Sequence, residues 1–393
     1  MAAIVFSNIG ELTTNDPTVG DESVLGRIKD AALVIEDGRV VWSGPTAIAP
    51  AADTEIDVEG AAIIPGFVDS HTHLVFAGER SEEFAARMAG QRYDGGGIMN
   101  TVAATRAATK DELRANTQQR VDALRAHGVT TIEMKSGYDL TLDGEFRLCE
   151  VASEFTEEVT FLGAHVVPAE FKDRRDEYVA LVAGEMLEQC APLVRWADVF
   201  CDQGAFSVDE ARFILTRAKE KGLALRLHGN QLGNTGGIEL AVELDAASVD
   251  HCTYVSEADV EALAGSKTVA TLLPGAEFST KSKYPSGRYL LDAGVQLALA
   301  TDCNPGTSYV TNMGLIIALA VREMGLSVDE ALYAATMGGA KALRRSDIGH
   351  LRPGAKADLA ILSVAKAAHF AYQPGASLVR AVHIGGENSA FWG

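Results

Sequence analysis

The sequence predicts an α/β fold: a (β/α)8 barrel of TIM type over residues 61–349, carrying a small β-sandwich domain built from both termini, residues 1–60 and 350–393. Three observations predict it. From residue 63 onward eight β-rich apolar runs (63–71, 129–135, 159–165, 197–202, 223–228, 247–251, 267–273 and 295–302) alternate with amphipathic stretches. Both ends of the chain read instead as consecutive strands. The first barrel run, Ile63-Ile64-Pro65-Gly66-Phe67-Val68-Asp69-Ser70-His71-Thr72-His73, finishes in two histidines one residue apart. The same alternation also admits a doubly wound open sheet, which is the alternative architecture.

The elements follow from local chemistry. Ala32 to Gly44 holds two β runs joined by Asp37-Gly38, a pair that accepts the positive φ angles of a tight hairpin. Gly354 to Leu362 and Leu378 to Ile384 are strands at the other end. Within the barrel, Thr109 to Glu112, Ser207 to Glu210, Ser256 to Asp259 and Ser327 to Glu330 each set a hydroxyl three residues before a carboxylate. That reciprocal pair satisfies the free N–H groups at a helix start. Gly128 and Gly222 stand where a left-handed residue closes two of these helices.

Composition narrows the function classes. The 393 residues suit one large core and one small one, and 38 glycines suit a turn-rich α/β enzyme. With 34 basic against 54 acidic residues the net charge is -20, a field that repels phosphate backbones and anionic headgroups. Nucleic-acid and membrane partners are therefore not expected, and an anionic substrate needs a local arginine. The five cysteines form no C-x-x-C, and Met1-Ala2-Ala3-Ile4-Val5-Phe6 lacks a basic leader, so a reduced, cytoplasmic protein is expected. Apolar runs such as 314–321 fall short of the roughly 20 residues that span a bilayer.

Side chains alternate along a strand, so His71 and His73 project to one side, close enough to share a metal ion. Barrel active sites sit at the carboxyl ends of the strands. There the fifth run ends in His228, the sixth in His251 and the eighth in Asp302. A lone histidine at such a place is more often a hydrogen-bonded structural residue. Four of nine histidines at strand ends are not explained by packing, and the set indicates a metal-dependent hydrolase.

This arrangement resembles the amidohydrolase superfamily, whose strand-one H-x-H, strand-five and strand-six histidines and strand-eight aspartate hold one or two divalent metals. Binuclear members carry a bridging lysine at the end of strand four. Here that strand reads Ala197-Asp198-Val199-Phe200-Cys201-Asp202 and has none, so one ion is expected, with Lys135 the residue through which a second could enter. Four motifs, Glu133 to Tyr138, Leu162 to Glu170, Val249 to Cys252 and Thr301 to Thr307, are similar to the imidazolonepropionase family of that superfamily. The resemblance implies hydrolysis of 4-imidazolone-5-propanoate to N-formimidoyl-L-glutamate in histidine degradation. It implies one divalent ion, zinc or iron, on His71, His73, His228 and Asp302. It also implies substrate contacts at Arg80, Tyr93, Tyr138, His165, Asn304, Gly306 and Thr307, and a homodimer.

The residue types fit that chemistry. A metal held by neutral imidazoles lowers the pKa of its water toward about 7, and Asp302 can carry the proton to the leaving nitrogen. His165 or His251 can donate a hydrogen bond to the oxygen that becomes negative, and Arg80 can grip a carboxylate with two prongs. The plain alternative for Arg80 is a solvated arginine in the Gly78-Glu79-Arg80-Ser81 loop; for Tyr93, beside Asp94-Gly95-Gly96-Gly97, it is a linker rather than a lid. One departure stands out. The family commonly has a glutamate three residues after the strand-five histidine, where this chain has Gln231, an amide that orients by hydrogen bonds but cannot titrate. Gln231 counts against an aminopurine or aminopyrimidine deaminase. Another cyclic-amide amidohydrolase and a catalytically silent barrel scaffold are the remaining alternatives.

Overall fold

A computed structural model of the chain describes residues 3–91 and 97–391. In chain order its strands are β1 (Ile4–Thr13), β2 (Arg27–Glu36), β3 (Arg39–Pro45), β4 (Thr54–Asp57), β5 (Ala62–Pro65), β6 (Phe67–Asp69), β7 (Val129–Ile132), β8 (Met134–Lys135) and β9 (Val159–Ala164). They continue as β10 (Trp196–Cys201), β11 (Ala224–Gly229), β12 (Ser248–His251), β13 (Val269–Leu272), β14 (Leu297–Leu299), β15 (Leu359–Leu362), β16 (Val379–Ile384) and β17 (Glu387–Phe391). Two compact units result: Met1–Asp69 with Asp122–Thr131 and Thr311–Gly393, and Ser70–Val121 with Ile132–Val310.

The first unit holds an eight-stranded sheet in the order β17-β16-β15-β5-β1-β2-β3, with β4 pairing β1. Both termini thus contribute strands to one sheet. The β2–β3 hairpin turns at Asp37 and Gly38, with φ of 49° and 74°. Alternation along these strands buries Phe6, Leu33, Ile35, Ile63, Leu359 and Ile361 in one cluster and Val5, Ala32 and Val34 in another. Each large side chain so buried stabilises by roughly 1.5–3 kcal/mol.

The run expected as one strand over 63–71 is divided. β5 belongs to the terminal sheet, whereas β6 pairs with β7. The switch falls between neighbouring residues: Gly66 N–H donates to Asp358 O and Phe67 N–H to Gly128 O, both at 2.9 Å. Only glycine fits at the crossing, since a Cβ on Gly66 would lie 2.2 Å from the Thr130 side chain.

The second unit holds the parallel sheet β14-β13-β12-β11-β10-β9-β8. Its two edges meet on one segment. Asp302 N–H donates to His71 O and His73 N–H to Cys303 O, each at 3.0 Å, while Lys135 N–H donates to Thr72 O at 3.0 Å. Residues 71–73 therefore close the ring, giving a TIM-like α/β fold rather than an open sheet. The expected caps form. Ser207, Ser256 and Ser327 each make a complete capping box, Thr109 and Glu112 exchange the same bonds, and Gly128 and Gly222 take φ of 89° and 85°. Among the described residues no helix is long and apolar enough to cross a membrane.

Candidate active site

The strand ends bring four ligand atoms to one point. His71 Nε2 lies 3.3 Å from His73 Nε2, which lies 3.2 Å from His228 Nε2. Asp302 Oδ1 is 3.5 Å from His71 Nε2 and 3.6 Å from His73 Nε2. Ligands about 2.1 Å from a tetrahedral ion stand about 3.4 Å apart, so the atoms sit as edges of such a cage. Imidazole nitrogens that face one another in a buried place repel through their lone pairs unless a cation sits among them, and the donor set fits a divalent metal. Burial first, then the positive charge of Lys135 near His71 and, for His73, the neighbouring His71 ring, where two protonated imidazoles would repel, hold both rings well below the usual histidine range. They stay neutral and able to ligate.

Backbone strain aims two of the side chains. His251 and Asp302 take left-handed φ of 81° and 51°, a conformation that costs roughly 1 kcal/mol or more at a residue with a Cβ. The bond from Asp302 N–H to His71 O helps hold the turn at Asp302. A ring nitrogen of His251 comes within 4.8 Å of ligand atoms of His71 and His228, beside the cage rather than in its closest edges.

Beneath the ligands lies a charged layer that the sequence reading missed. Asp250 Oδ2 is 2.6 Å from His71 Nδ1, and Asp198 Oδ2 is 3.0 Å from His228 Nδ1. Lys135 Nζ sits 2.8 Å from Glu133 Oε1 and 2.9 Å from Asp198 Oδ2, while Arg226 Nη2 is 3.4 Å from Asp250 Oδ2 and donates to Ser70 O at 2.6 Å. Glu133, Lys135, Asp198, Arg226 and Asp250 have wholly buried side chains. Lys135 is thus committed to carboxylates, which corrects the expectation that a second ion could enter through it. The available signal was a charged residue inside an apolar strand run, Asp198 after Ala197 and Asp250 after Val249, since a buried charge needs a partner.

Above the ligands, His73, His228, His251 and Asp302 form the floor of a cavity of about 230 Å³. Arg80, Tyr138, His165, Gln231, Asn304, Gly306 and Thr307, all singled out in the sequence, line it too. Tyr93 lies outside the described residues, as do Gly95 and Gly96 of the loop beside it. Arg80 is buried rather than solvated and meets Glu83. The Tyr138 ring lies 5.2 Å from that of His165 and 5.8 Å from that of His73. His165 Nδ1 is 2.9 Å from Gly137 O, so that nitrogen carries the proton, and burial above all lowers its pKa to about 3.

Asn304 spends its amide on its own loop. Nδ2 donates to Asp302 O at 2.6 Å and to Thr307 Oγ1 at 2.9 Å, while Oδ1 accepts from Gly306 and Thr307 N–H at 2.8 Å each. It shapes the wall on which Gly306 and Thr307 stand. Asp202 does the same opposite, its Oδ2 accepting from Gln231 N–H at 2.6 Å and Leu232 N–H at 2.9 Å.

The sequence pattern of the amidohydrolase family matches residues 62–388. The chain is 58% identical over 388 residues to the imidazolonepropionase of Mycolicibacterium smegmatis, covering 98% of both chains. It is 60% identical over 385 residues to that of Salinispora tropica, covering 97% of both. Among solved structures, an adenosine deaminase from Xanthomonas campestris with bound zinc superposes with a TM-score of 0.73 at 19% identity, covering 99% of this chain and 93% of the other, a likeness of fold. A family match over most of the barrel and identity near three residues in five along the whole chain lead to one conclusion: this chain belongs to the amidohydrolase family and, within it, to the imidazolonepropionases.

Proposed function

We propose that the chain opens the ring of 4-imidazolone-5-propanoate with water to give N-formimidoyl-L-glutamate, using one zinc or iron ion held by His71, His73, His228 and Asp302. The observation that carries this reading is the set of three Nε2 atoms and one carboxylate oxygen, 3.2 to 3.6 Å apart along the measured edges, on the floor of a cavity that Arg80 also lines. A divalent ion held by these residues would supply a water of lowered pKa and polarise the ring carbonyl. The carboxylate of Asp302 accepts the proton of the attacking water and delivers it to the ring nitrogen as the C–N bond breaks.

The two candidate histidines separate by tautomer. In a neutral His165 ring Nδ1–H serves Gly137 O, so Nε2 is an acceptor, and it takes a hydrogen bond from a substrate N–H. His251 Nδ1 has no protein partner among the described residues, and His251 donates to the carbonyl oxygen as charge develops there. Arg80 receives the propanoate carboxylate, an anion that needs a local cation in a chain of net charge -20. Gln231 orients the ring, Tyr138 packs along it, and Gly306 and Thr307 close the wall, with Tyr93 contacting the substrate as in the family.

The same reading makes the terminal sheet part of a β-sandwich domain and the protein a cytoplasmic homodimer without nucleic-acid or membrane partners. The test is turnover of metal-loaded protein on imidazolone propanoate, a hydantoin and an aminopurine. Ring opening of the first alone is expected. Ammonia release from the aminopurine with no imidazolone turnover would transfer the chain to the deaminases.

A further inference from the structure

We propose that Lys135 is a positioning residue for the metal ligands: from beneath the site its ammonium holds the carboxylates that fix the ring orientation and tautomer of His71 and His228. This rests on the metal reading above, and it assigns a role to a charge that touches neither metal nor substrate.

The connections run outward from one atom. Lys135 Nζ lies 2.9 Å from Asp198 Oδ2, and that same oxygen lies 3.0 Å from His228 Nδ1. Lys135 Nζ also lies 3.9 Å from Asp250 Oδ2, the oxygen 2.6 Å from His71 Nδ1, with Arg226 completing the hold on Asp250. Its third neighbour, Glu133, accepts from the backbone N–H of Thr72, the residue between His71 and His73, at 3.2 Å. Three short chains of contact thus lead from one ammonium to strand one and to strand five.

A carboxylate opposite Nδ1 keeps the proton there, which leaves the Nε2 lone pair directed at the other ligands. Asp198 and Asp250 lie 2.9 and 3.9 Å from the one ammonium and repel each other, so without that cation one would turn away. Burial pulls the Lys135 ammonium toward neutrality, but Asp198 and Glu133 more than offset it and keep it charged. The layer holds three carboxylates and two cations, Lys135 and Arg226, a net of 2 − 3 = −1. His73 is the contrast: among the described residues Asp302 is the carboxylate within 4.0 Å of its ring nitrogens and no carboxylate of this layer is, so the layer does not set its tautomer.

The experiment uses full-length protein stripped of metal, with zinc affinity read by competition with a coloured chelator and tautomers read by 15N NMR of the imidazoles. In the parent, His71 and His228 are expected as Nδ1–H tautomers. Lys135→Met is expected to bind zinc about 10- to 100-fold more weakly and to mix the tautomer of at least one of these two rings while leaving His73 unchanged. Because loss of one buried charge can prevent folding, Lys135→Met with Glu133→Gln removes one of each sign and keeps the net at −1. Its zinc affinity should also fall below that of Glu133→Gln alone. A folded Lys135 variant binding zinc within about threefold of its reference overturns the proposal, as does an Nε2–H tautomer for both His71 and His228 in the parent, a result that depends on no variant. A parent that does not bind zinc sinks the metal reading as well, so the two failures are told apart.

Discussion

Arg80 and Glu83 face each other through two parallel bonds, Nε to Oε2 at 2.6 Å and Nη2 to Oε1 at 2.7 Å. Glu83, one helical turn on, takes one edge of the fork and fixes the plane of the guanidinium. Gly306 lies against the rest, since a Cβ there would come within 2.3 Å of Nη1. Arg80→Ala is expected to lower kcat/KM by roughly 30- to 1,000-fold, the loss of a charge-assisted pair. Arg80→Lys should recover only part, because an ammonium has no fork. An unchanged kcat/KM in steady-state assays would remove Arg80 from substrate binding.

The two duties proposed for Asp302, ligand and proton carrier, must be measured apart. One zinc or iron per chain is expected by elemental analysis, since Lys135, the lysine beneath the ligands, is already held by carboxylates. Asp302→Asn should lose more than about a thousandfold in kcat. If the variant retains its metal and turns over near the parent rate, the base lies elsewhere, and His251 is the next candidate.

Gln231 donates its backbone N–H to Asp202, leaving the amide to act on the cavity it lines. Gln231→Ala should cost about 1 to 3 kcal/mol of transition-state binding, the range for a buried polar group left unsatisfied. A shift in the pH profile of the parent that disappears in this variant would contradict an amide role, since the side chain does not titrate.

Glu277 is a buried carboxyl whose burial raises its pKa to about 8, with Thr253 donating to Oε1 at 2.7 Å. Its folded pKa is above the unfolded one, so its contribution to stability is full below about pH 4.5 and is lost as pH rises toward about 8. Glu277→Gln, which cannot ionise, should be more stable than the parent at about pH 9 by roughly 3 to 5 kcal/mol at most and nearly equal to it at about pH 4. Denaturant unfolding at the two pH values measures this; equal differences at both would show that Glu277 ionises normally.

The crossing at Gly66 gives a purely structural test. A Cβ there meets the Thr130 side chain at 2.2 Å, so Gly66→Ala should destabilise by about 1 to 3 kcal/mol, as overpacking does. Gly66→Ala with Thr130→Ala should regain part of it. Thermal unfolding of the two variants decides.

The sequence by itself determined the barrel and the residues that converge in it. Short β-rich apolar runs with hydroxyl-to-carboxylate caps between them specify strands and helices locally, and the carboxyl-end rule then places His71, His73, His228, His251 and Asp302 at one mouth without any knowledge of contacts. The motifs around Tyr138, His165 and Thr307 were legible through the family resemblance, not through periodicity. Only the tertiary structure decided the rest. That residues 62–73 divide at Gly66 between two sheets depends on partners near positions 128 and 358, far along the chain. That Lys135 serves Glu133 and Asp198 rather than a second ion depends on which inward-facing charges share one layer of the closed ring. That Arg80 meets Glu83 while Asn304 spends its amide on its own loop depends on side-chain directions that spacing does not encode. Periodicity reports which face of an element is buried; the pairing of polar groups on that face is settled only when distant strands are brought to neighbouring places and every buried charge must find a partner.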